Sequence, residues 1–560
     1  MERSAKEFLE KYALLNAAQF GTARADAVAK KIFARFPDLR KERQGVMTEI
    51  EAEVSRANAL GTEKARRRLE SIAPELLAPP APKEQKHGLP EIAKGPVVMR
   101  FAPNPNGPPT LGSARGLVLN DEYVKKYGGT LVLRFDDTDP ATKKPMPEAY
   151  DWYLEDAAWL GVRPQKVAIA SDRVADYYPV AEELIAKGKA YVCTCPKEWF
   201  KSYRDAGQAC KHRDQKPAEA LEQWKAMLAG QFKEGEAVLR VKTRMDHPNP
   251  AIRDWVAFRV VRAAHPRVGH KFIVWPMLDF ESAVEDKMLG TTHILRGKDL
   301  ADSEDRQKFV YNYLGWRYPP TRHWGKVLVH EWGHLSTSGI RKEIEEGKYS
   351  GWDDPRLPTL RALRRRGIQP GAIRKFLLDM GLHENDVEAS LENLYAENRK
   401  IVEPGAHRYF FVQDPVELAV KGLEPTTAEV PLHPNKPKEG VRKLKTHGKV
   451  LVTKKDLAGL APGQRARLKE LCNFTLESKE PPKARFSSKP VEKGLPIFHW
   501  LPAGVGKPVR VLMPDGSEVK GIGEPGIEKE LDRVAQFERF GFVRIDAVGE
   551  KEIVACFTHE

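Results

Sequence analysis

The chain has 560 residues, 41% of them hydrophobic and 30% charged, and this length predicts three to five folded domains instead of one. It contains no run of about 18 consecutive apolar residues, so we expect no membrane span. Lysine plus arginine (92) exceed aspartate plus glutamate (78) by 14. Both a nucleic-acid partner and a basic surface without a specific ligand fit this excess of positive charge.

The hydrophobic pattern changes several times along the chain. The N-terminal helical pattern carries acids among its bases and lacks the apolar core of a secretory signal, and five cysteines do not indicate a disulfide scaffold, so we expect a cytoplasmic protein. The fold class expected is a multidomain α/β protein. Its segments are a helical domain at 1–78, a linker at 79–96, a doubly wound Rossmann-like catalytic domain at 97–345 with an inserted subdomain at about 193–270, a helical connector at 346–403, and antiparallel β-barrels at 404–560.

Residues 97–139 form the most informative stretch, because they predict a βαβ unit. A strand at 97–102 leads into a helix that Ser113 caps, and a second strand at 130–135 is followed directly by Asp136, Asp137 and Asp139. Such a unit brings its first turn and its acids to one edge of a parallel sheet. The helix N-terminus could hold a phosphate and the acids a substrate ammonium. Residues 97–139 contain neither the Walker A nor the GxGxxG pattern, and an ordinary proline-rich turn stays an alternative.

A second group of residues has metal-ligand spacing. Cys193 and Cys195, then Cys210 and His212, give a CxC…CxH pattern that suits a tetrahedral structural zinc ion. Reduced cysteines that only pack are the alternative.

The motifs resemble those of class I aminoacyl-tRNA synthetases. APNPNGPPTLGSARG is similar to the PxPxGxxHxGHxR segment of that class, and LRFDDTDP matches the next strand of its glutamyl/glutaminyl subgroup. WPMLDFESAVEDKMLGTTHILRGKD resembles the subgroup's amino-acid pocket, and VHEWGHLSTSGIRK stands where the second ATP signature is found. The resemblance extends from the N-terminal helices to QFERFGFVRID, and it identifies the chain as similar to archaeal-type glutamyl-tRNA synthetases.

This resemblance implies ATP-dependent ligation of L-glutamate to tRNA(Glu) through a glutamyl-adenylate, with Mg²⁺ accompanying ATP. It also implies a monomer, and it leaves open whether tRNA(Gln) is a second acceptor. For glutamate it implies Arg100 at the side-chain carboxylate, Asp136 at the α-ammonium, Ser282 at a polar pocket position and Arg296 near the substrate carboxylates. For ATP it implies Pro103, Asn104, Pro105, Asn106, Gly107, Pro108, Pro109, Thr110, Leu111, Gly112, Ser113, Arg115, Leu335, Ser336, Thr337 and Ser338.

The sequence departs from the family pattern at several signature positions. Thr110 and Ser113 replace two histidines, and the usual KMSKS loop reads HLSTS at 334–338, so both of its lysines are missing. The hydroxyls of Thr110 and Ser113 could still donate to phosphate, and Arg341 or Lys342 could supply the charge of the missing lysines. The pocket also carries Leu278 where relatives have tyrosine.

Two other functions remain open at this point. A glutaminyl-specific synthetase has a close fold and motifs, although the APNPNGPPTLGS wording favours the glutamyl form. A non-catalytic RNA-binding scaffold would also explain the altered signatures. The C-terminal strands interleave basic and aromatic residues, which suits phosphates and unstacked anticodon bases, without indicating individual contacts.

Overall fold

The computed structural model describes residues 2–36, 39, 43–76, 89–329, 332 and 336–560. The chain divides into two compact units, Met1–Gly88 and Leu89–Glu560. Residues 79–88 of the predicted linker lie outside the described residues. The rest of the predicted linker belongs to the second unit, because Leu89 and Ile92 pack against its core and the Ile92 N–H donates to the hydroxyl of Tyr127 at 3.0 Å. No helix within the described part of the chain has the length and apolarity needed to cross a bilayer.

The first unit is helical, as its sequence pattern predicts. Leu9, Ala13 and Ala17 recur at helical spacing and, with buried side chains from the other helices, form one apolar core. The helices are α1 Arg3–Phe20, α2 Ala25–Arg35, α3 Arg43–Leu60 and α4 Thr62–Ile72.

The second unit begins with the elements of the catalytic domain and the helical connector. The strands are β1 Val98–Phe101, β2 Thr130–Phe135, β3 Lys166–Ile169, β4 Ala190–Cys193, β5 Val238–Val241, β6 Val256–Val260, β7 Val274–Pro276, β8 Ile294–Gly297, β9 Thr321–Trp324, β10 Val327–Val329 and β11 Val387–Ala389. The helices are α5 Leu111–Tyr127, α6 Pro147–Trp159, α7 Val174–Ala186, α8 Lys197–Asp205, α9 Pro217–Leu228, α10 Leu278–Met288, α11 Ala301–Leu314, α12 Thr337–Glu345, α13 Leu360–Arg365, α14 Pro370–Asp379 and α15 Leu391–Val402.

Parallel strands form the centre of the catalytic domain. The strands β1, β2 and β3 pair in that order, and β8 pairs with β9. A hydrogen bond from the Thr292 N–H to the Val98 carbonyl at 2.9 Å places the start of β8 beside β1. Parallel strands covered by helices are apolar on both faces, which explains the continuous burial of Leu131 to Phe135 in β2. The carboxyl ends of β1, β2 and β8 therefore meet at one edge.

An antiparallel sheet interrupts this parallel arrangement. Strands β4, β5, β6 and β7 pair in chain order and share an apolar core with α7 and α9, in which Trp224 and Trp275 are fully buried. This sheet spans 190–276, close to the insertion expected at about 193–270. The helix α10 follows β7 at once, so the insertion delivers α10 to the edge where β1 and β2 end.

The C-terminal strands form two seven-stranded sheets and a hairpin. They are β12 Arg408–Tyr409, β13 Phe411–Gln413, β14 Pro415–Lys421, β15 Thr426–Pro431, β16 Val441–Thr446, β17 Lys449–Thr453, β18 Arg465–Leu468, β19 Cys472–Lys479, β20 Pro482–Ser488, β21 Ile497–Phe498, β22 Leu501–Pro502, β23 Lys507–Leu512, β24 Glu518–Gly523, β25 Val534–Phe537, β26 Gly541–Val548 and β27 Ile553–His559, with a short helix α16 Lys454–Ala458.

The two sheets curl because of how their edges are connected. The edge strands β12 and β13 of one sheet are separated only by Phe410, and the edge strands β21 and β22 of the other only by His499 and Trp500. A sheet whose two edges are adjacent in the chain has to bend until those edges approach each other. The predicted barrels are thus present as curled sheets. Purely antiparallel pairing was wrong, since β14–β20 and β23–β27 are among the parallel pairs.

Candidate active site and metal cluster

The turn between β1 and α5 is held by backbone hydrogen bonds at both ends. The Asp136 N–H donates to the Pro103 carbonyl at 2.9 Å, which fixes the turn to the end of β2. The Leu360 N–H donates to the Pro109 carbonyl, and the Leu111 N–H donates to the Pro358 carbonyl, each at 2.9 Å. The whole stretch Pro103, Asn104, Pro105, Asn106, Gly107, Pro108 and Pro109 therefore has one defined path, and Asn104 donates to the Asp136 carbonyl at 3.1 Å.

The start of α5 differs from the sequence prediction. Thr110, not Ser113, is the N-cap, and the two residues form a capping box. The Thr110 N–H donates to Ser113 Oγ at 2.8 Å, and the Ser113 N–H donates to Thr110 Oγ1 at 3.3 Å. The Ser113 hydroxyl also donates to the Thr110 carbonyl at 3.0 Å. Both hydroxyls are thus engaged with each other and with the backbone, so a phosphate would have to compete for them.

The position of Arg115 does not fit its expected contact with ATP. Its side chain is fully buried, and its terminal nitrogens donate to the carbonyls of Gly325 and Gly381 at 2.9 and 2.8 Å. Burial lowers the pKa of Arg115 to about 10. The residue joins α5 to two distant loops and presents no surface to ATP in this conformation.

The two signature segments are in contact. Gly107 lies so close to Thr337 and Trp352 that an added Cβ would stand 2.5 Å from Thr337 Cγ2 and 2.9 Å from the Trp352 ring. Ser336 caps α12 by accepting the Gly339 N–H at 3.1 Å, and Ser338 follows in the first turn. Leu335 lies outside the described residues. Above Gly112 the nearest atom to such a Cβ is 3.9 Å away, so the surface there is open.

All four residues expected to bind glutamate line one cavity of about 460 Å³. Arg100 and Asp136 reach it from the ends of β1 and β2, Ser282 from α10 and Arg296 from β8. Each of these side chains is at least nine-tenths buried. Leu278 also lines the cavity, so this position offers no hydroxyl. The cavity has the size of a small-molecule site with convergent polar groups.

A buried ion network that the motifs did not predict organises the cavity wall. Arg134 donates to both carboxylate oxygens of Asp136, at 2.6 and 3.0 Å, to Asp286 Oδ1 at 2.7 Å and to Ser282 Oγ at 2.8 Å. Arg100 Nε donates to the same Asp286 oxygen at 2.8 Å. The available signal was a charged side chain inside the apolar strand β2, since a buried arginine requires acidic partners.

The charges of this network shift the titration of its members. Burial alone would raise the pKa of Asp286, but the guanidinium groups of Arg100 and Arg134 outweigh it and lower that pKa to about 2. Burial, together with the positive charge of Arg100, lowers the pKa of Arg296. The Arg296 guanidinium donates to Gln307 Oε1 at 3.1 Å, and its buried Nε has no partner among the described residues.

The remaining acids after β2 support the local structure. Asp139 Oδ1 accepts the Thr142 N–H at 2.8 Å and so caps the following turn. Asp137 is buried and accepts the hydroxyls of Tyr150 and Ser171 at 2.6 and 2.7 Å. Through these contacts both acids orient neighbouring groups.

The four predicted metal ligands come together at the end of β4. The candidate ligand atoms of Cys193, Cys195, Cys210 and His212 all lie within 4.8 Å of one another. The sulfurs of Cys193 and Cys210 are 3.9 Å apart, and Cys195 Sγ is 3.3 Å from His212 Nδ1. A hydrogen bond from the Cys193 thiol lowers the pKa of Cys210 to about 4. His212 Nε2 points away from the sulfurs, 3.0 Å from the Thr194 hydroxyl.

Comparison with known proteins assigns the class. The profile of the tRNA synthetases class I (E and Q) catalytic domain matches residues 96–404, and the two anti-codon binding domain profiles of the same family match 406–487 and 497–546. The chain therefore belongs to the class I tRNA synthetases of the E and Q type.

The similar proteins are named as glutamate–tRNA ligases. The one from Methanothrix thermoacetophila is 53% identical over 567 residues and covers 100% of both chains. The one from Archaeoglobus fulgidus is 49% identical over 558 residues, covering 99% of this chain and 100% of its own. Among solved structures, a glutamate-tRNA synthetase from Elizabethkingia anophelis matches 55% of this chain and 71% of its own with 20% identity and a TM-score of 0.39.

Proposed function

We propose that this protein is a glutamate–tRNA ligase, which joins L-glutamate to tRNA(Glu) with ATP by way of a glutamyl-adenylate. The proposal is supported by sequence identity of about 50%, over the whole chain, to proteins named glutamate–tRNA ligase. It is also supported by a buried cavity lined by two arginines and an acid. A glutaminyl enzyme is not favoured, because the matched relatives carry the glutamate name and the cavity is rich in guanidinium groups.

The cavity suits glutamate through its charges. Arg100 and Arg296 would pair with the γ-carboxylate of glutamate. The neutral side-chain amide of glutamine could not form these two ion pairs. Asp136 would accept the α-ammonium, and Ser282 lines the same cavity as a polar contact. These roles leave the α-carboxylate to face the turn before α5, where ATP is expected.

The ATP site is expected along the turn from Pro103 to Ser113 and the start of α12. Gly112 is exposed at the first turn of α5, so its backbone N–H and open surface can be approached by a nucleotide. Mg²⁺ bound to ATP would neutralise phosphate charge as diphosphate leaves. The protein residues contribute positioning: the signature contact between Gly107 and Thr337 holds the two halves of the site together.

One assay tests the function and its rivals. The purified chain is incubated with ATP, labelled glutamate or glutamine, and transcripts of tRNA(Glu) or tRNA(Gln). We expect glutamate to be attached to tRNA(Glu) and glutamine to neither transcript. Charging with glutamine would support the glutaminyl enzyme, and no charging at all would support the scaffold. Glutamate on tRNA(Gln) would establish the second acceptor.

The proposal includes a monomer with a structural zinc ion. Light scattering of a monomer should give a mass near 63.1 kDa.

For zinc, ligand distances of about 2.3 Å give a tetrahedron with edges of about 3.8 Å, which the sulfur separation of 3.9 Å fits. The Thr194 hydroxyl would orient the imidazole of His212, so that Nδ1 binds the metal.

Metal analysis of the purified protein checks the zinc site. We expect about one zinc per chain in the wild type and a loss of most of it in Cys210→Ser, because three ligands hold the ion weakly. The matched control is Cys472→Ser, which removes another fully buried cysteine but should keep the zinc. Less than about 0.2 zinc per wild-type chain, without exposure to chelators, would contradict the site.

A further inference from the structure

A second carboxyl group stands beside Asp136 in the cavity. Glu281 lies in the first turn of α10, is 1% exposed and lines the same cavity. Its Oε2 accepts the Thr138 hydroxyl at 2.9 Å, while its Oε1 is buried and receives no donor from the described residues. No sequence motif singled out this residue.

Glu281 and Asp136 are both buried and line the same cavity wall, so the unpartnered Oε1 of Glu281 and the Asp136 carboxylate share one small space. Two ionised carboxylates cannot donate to each other, so a hydrogen bond between them forms only when one of them carries a proton. Asp136 already accepts two hydrogen bonds from Arg134. Glu281, whose Oε1 receives no donor among the described residues, is therefore the better position for a shared proton.

Electrostatics agrees with this placement. Burial and the negative charge of Asp136 raise the pKa of Glu281 well above its ordinary value, because Arg134 compensates only in part. The titratable groups that face Glu281 are Arg134 and Asp136 from β2, Tyr177 from α7 and Glu285 from its own helix, and the cavity mouth adds Asp139, Lys143 and Arg259. With Glu281 neutral, Arg100, Arg134 and Arg296 exceed Asp136 and Asp286 by one positive charge, which suits a substrate carboxylate.

We propose that Asp136 and Glu281 form one proton-sharing pair that binds the α-ammonium of the amino-acid substrate, and that the incoming ammonium displaces the shared proton to solvent. The ammonium group carries its own donors for both carboxylates, so it replaces the proton between them. An opposite charge within about 4–6 Å favours the ionised form of an acid by roughly one to three pKa units. Glu281 is thus a substrate-binding residue, and it makes glutamate binding depend on pH. This inference rests on the proposed function.

Calorimetric titration of L-glutamate into the full chain counts the displaced proton. In buffers of different ionisation enthalpy at pH 7, we expect the wild type to release protons on binding, up to one per bound glutamate, since a single group titrates. Glu281→Gln keeps a donor toward Asp136 but cannot ionise, so it should release less than about 0.2 proton. Glutarate, which lacks the ammonium, should release none from either protein.

The matched control is Glu285→Gln, one turn further along α10. Glu285 is equally buried, but it accepts the Tyr177 hydroxyl at 2.7 Å, forms an ion pair with Arg173 and does not line the cavity. This variant should release the proton as the wild type does. Release by Glu281→Gln, or no release by the wild type, would overturn the inference.

The pH profile gives an independent readout. Below the pKa of Glu281 in the free enzyme, the glutamate KM of the wild type should fall up to tenfold per pH unit as the pH rises, while kcat changes little. Glu281→Gln should remove this slope. If Glu281→Gln does not fold, the wild-type profile and the glutarate comparison decide alone. A wild type that charges tRNA(Glu) but binds glutamate without proton release would refute only this inference, whereas failure to charge any tRNA would refute the proposed function as well.

Discussion

At the scale of single residues, the cavity is organised by one carboxylate among three arginines. Asp286 accepts from Arg100 and Arg134 and lies 3.9 Å from Arg296. Losing one partner of such a buried group costs about 3–5 kcal/mol, because the other charges remain unpaired. Since the pKa of Asp286 is lowered to about 2, its contribution to stability is complete above its ordinary pKa of 3.8 and is lost only as the pH falls toward 2.

Asp156 in α6 gives the opposite case, a buried acid whose oxygens have no hydrogen-bond partner among the described residues. Burial raises the pKa of Asp156 from 3.8 to about 7. The free energy of unfolding therefore falls as the pH rises from 3.8, and the loss levels off above pH 7 at about 4 kcal/mol. We expect Asp156→Asn to raise the thermal unfolding temperature more at pH 8 than at pH 5. Equal gains at the two pH values, measured by thermal scans, would contradict this electrostatic cause.

At the scale of elements, two glycines of one turn should respond differently to alanine. In Gly107→Ala the new Cβ would collide with Thr337 and Trp352, so we expect a lower unfolding temperature and a loss of ATP–pyrophosphate exchange. In Gly112→Ala the space is open, and alanine favours the helix by up to about 1 kcal/mol, so stability should be kept while the KM for ATP rises. An unchanged unfolding temperature in Gly107→Ala would refute the contact between the two signatures.

The helix α12 distinguishes the two candidates for the missing signature lysines. Arg341 is four residues after Thr337 and shares its helix face, whereas Lys342 does not. The side chain of Arg341 is 38% exposed and bonds Glu345, and that of Lys342 is 76% exposed. In the presence of tRNA(Glu), we expect Arg341→Ala to lower ATP–pyrophosphate exchange at least tenfold, about 1.4 kcal/mol, and Lys342→Ala to change it less than about twofold. Equal effects would remove Arg341 as the replacement cation.

At the scale of the whole molecule, we expect the binding of tRNA and the binding of glutamate to depend differently on salt. The chain has an excess of positive charge, and its family binds tRNA. Basic groups that meet tRNA phosphates release counterions, so the KM for tRNA should rise at least tenfold between about 50 and 200 mM salt. The KM for glutamate should change little, because its ion pairs are buried and therefore weakly screened. Parallel increases of both KM values in steady-state charging assays would contradict an electrostatic tRNA interface.

Much of the molecule follows from signals that are local in the chain. The strand–turn–helix–strand order of residues 97–139 and the four metal ligands within twenty positions were both predicted from neighbouring residues. These features depend on propensity, capping and spacing, which a short stretch carries by itself. The same locality explains one error: Ser113 was predicted as the cap, whereas the backbone geometry makes Thr110 the N-cap and Ser113 its partner in the capping box.

The family, the order of the domains and the four glutamate-binding candidates were thus determined by the sequence alone. Tertiary structure decided what surrounds them. Arg134 meets Asp286 from 152 positions away, Arg115 reaches carbonyls 210 and 266 positions away, and Glu281 arrives beside Asp136 only because the inserted sheet returns the chain to the edge of β2. A local pattern records whether a residue is apolar or charged. It does not record which distant group will neutralise that charge, because packing brings the partner into place.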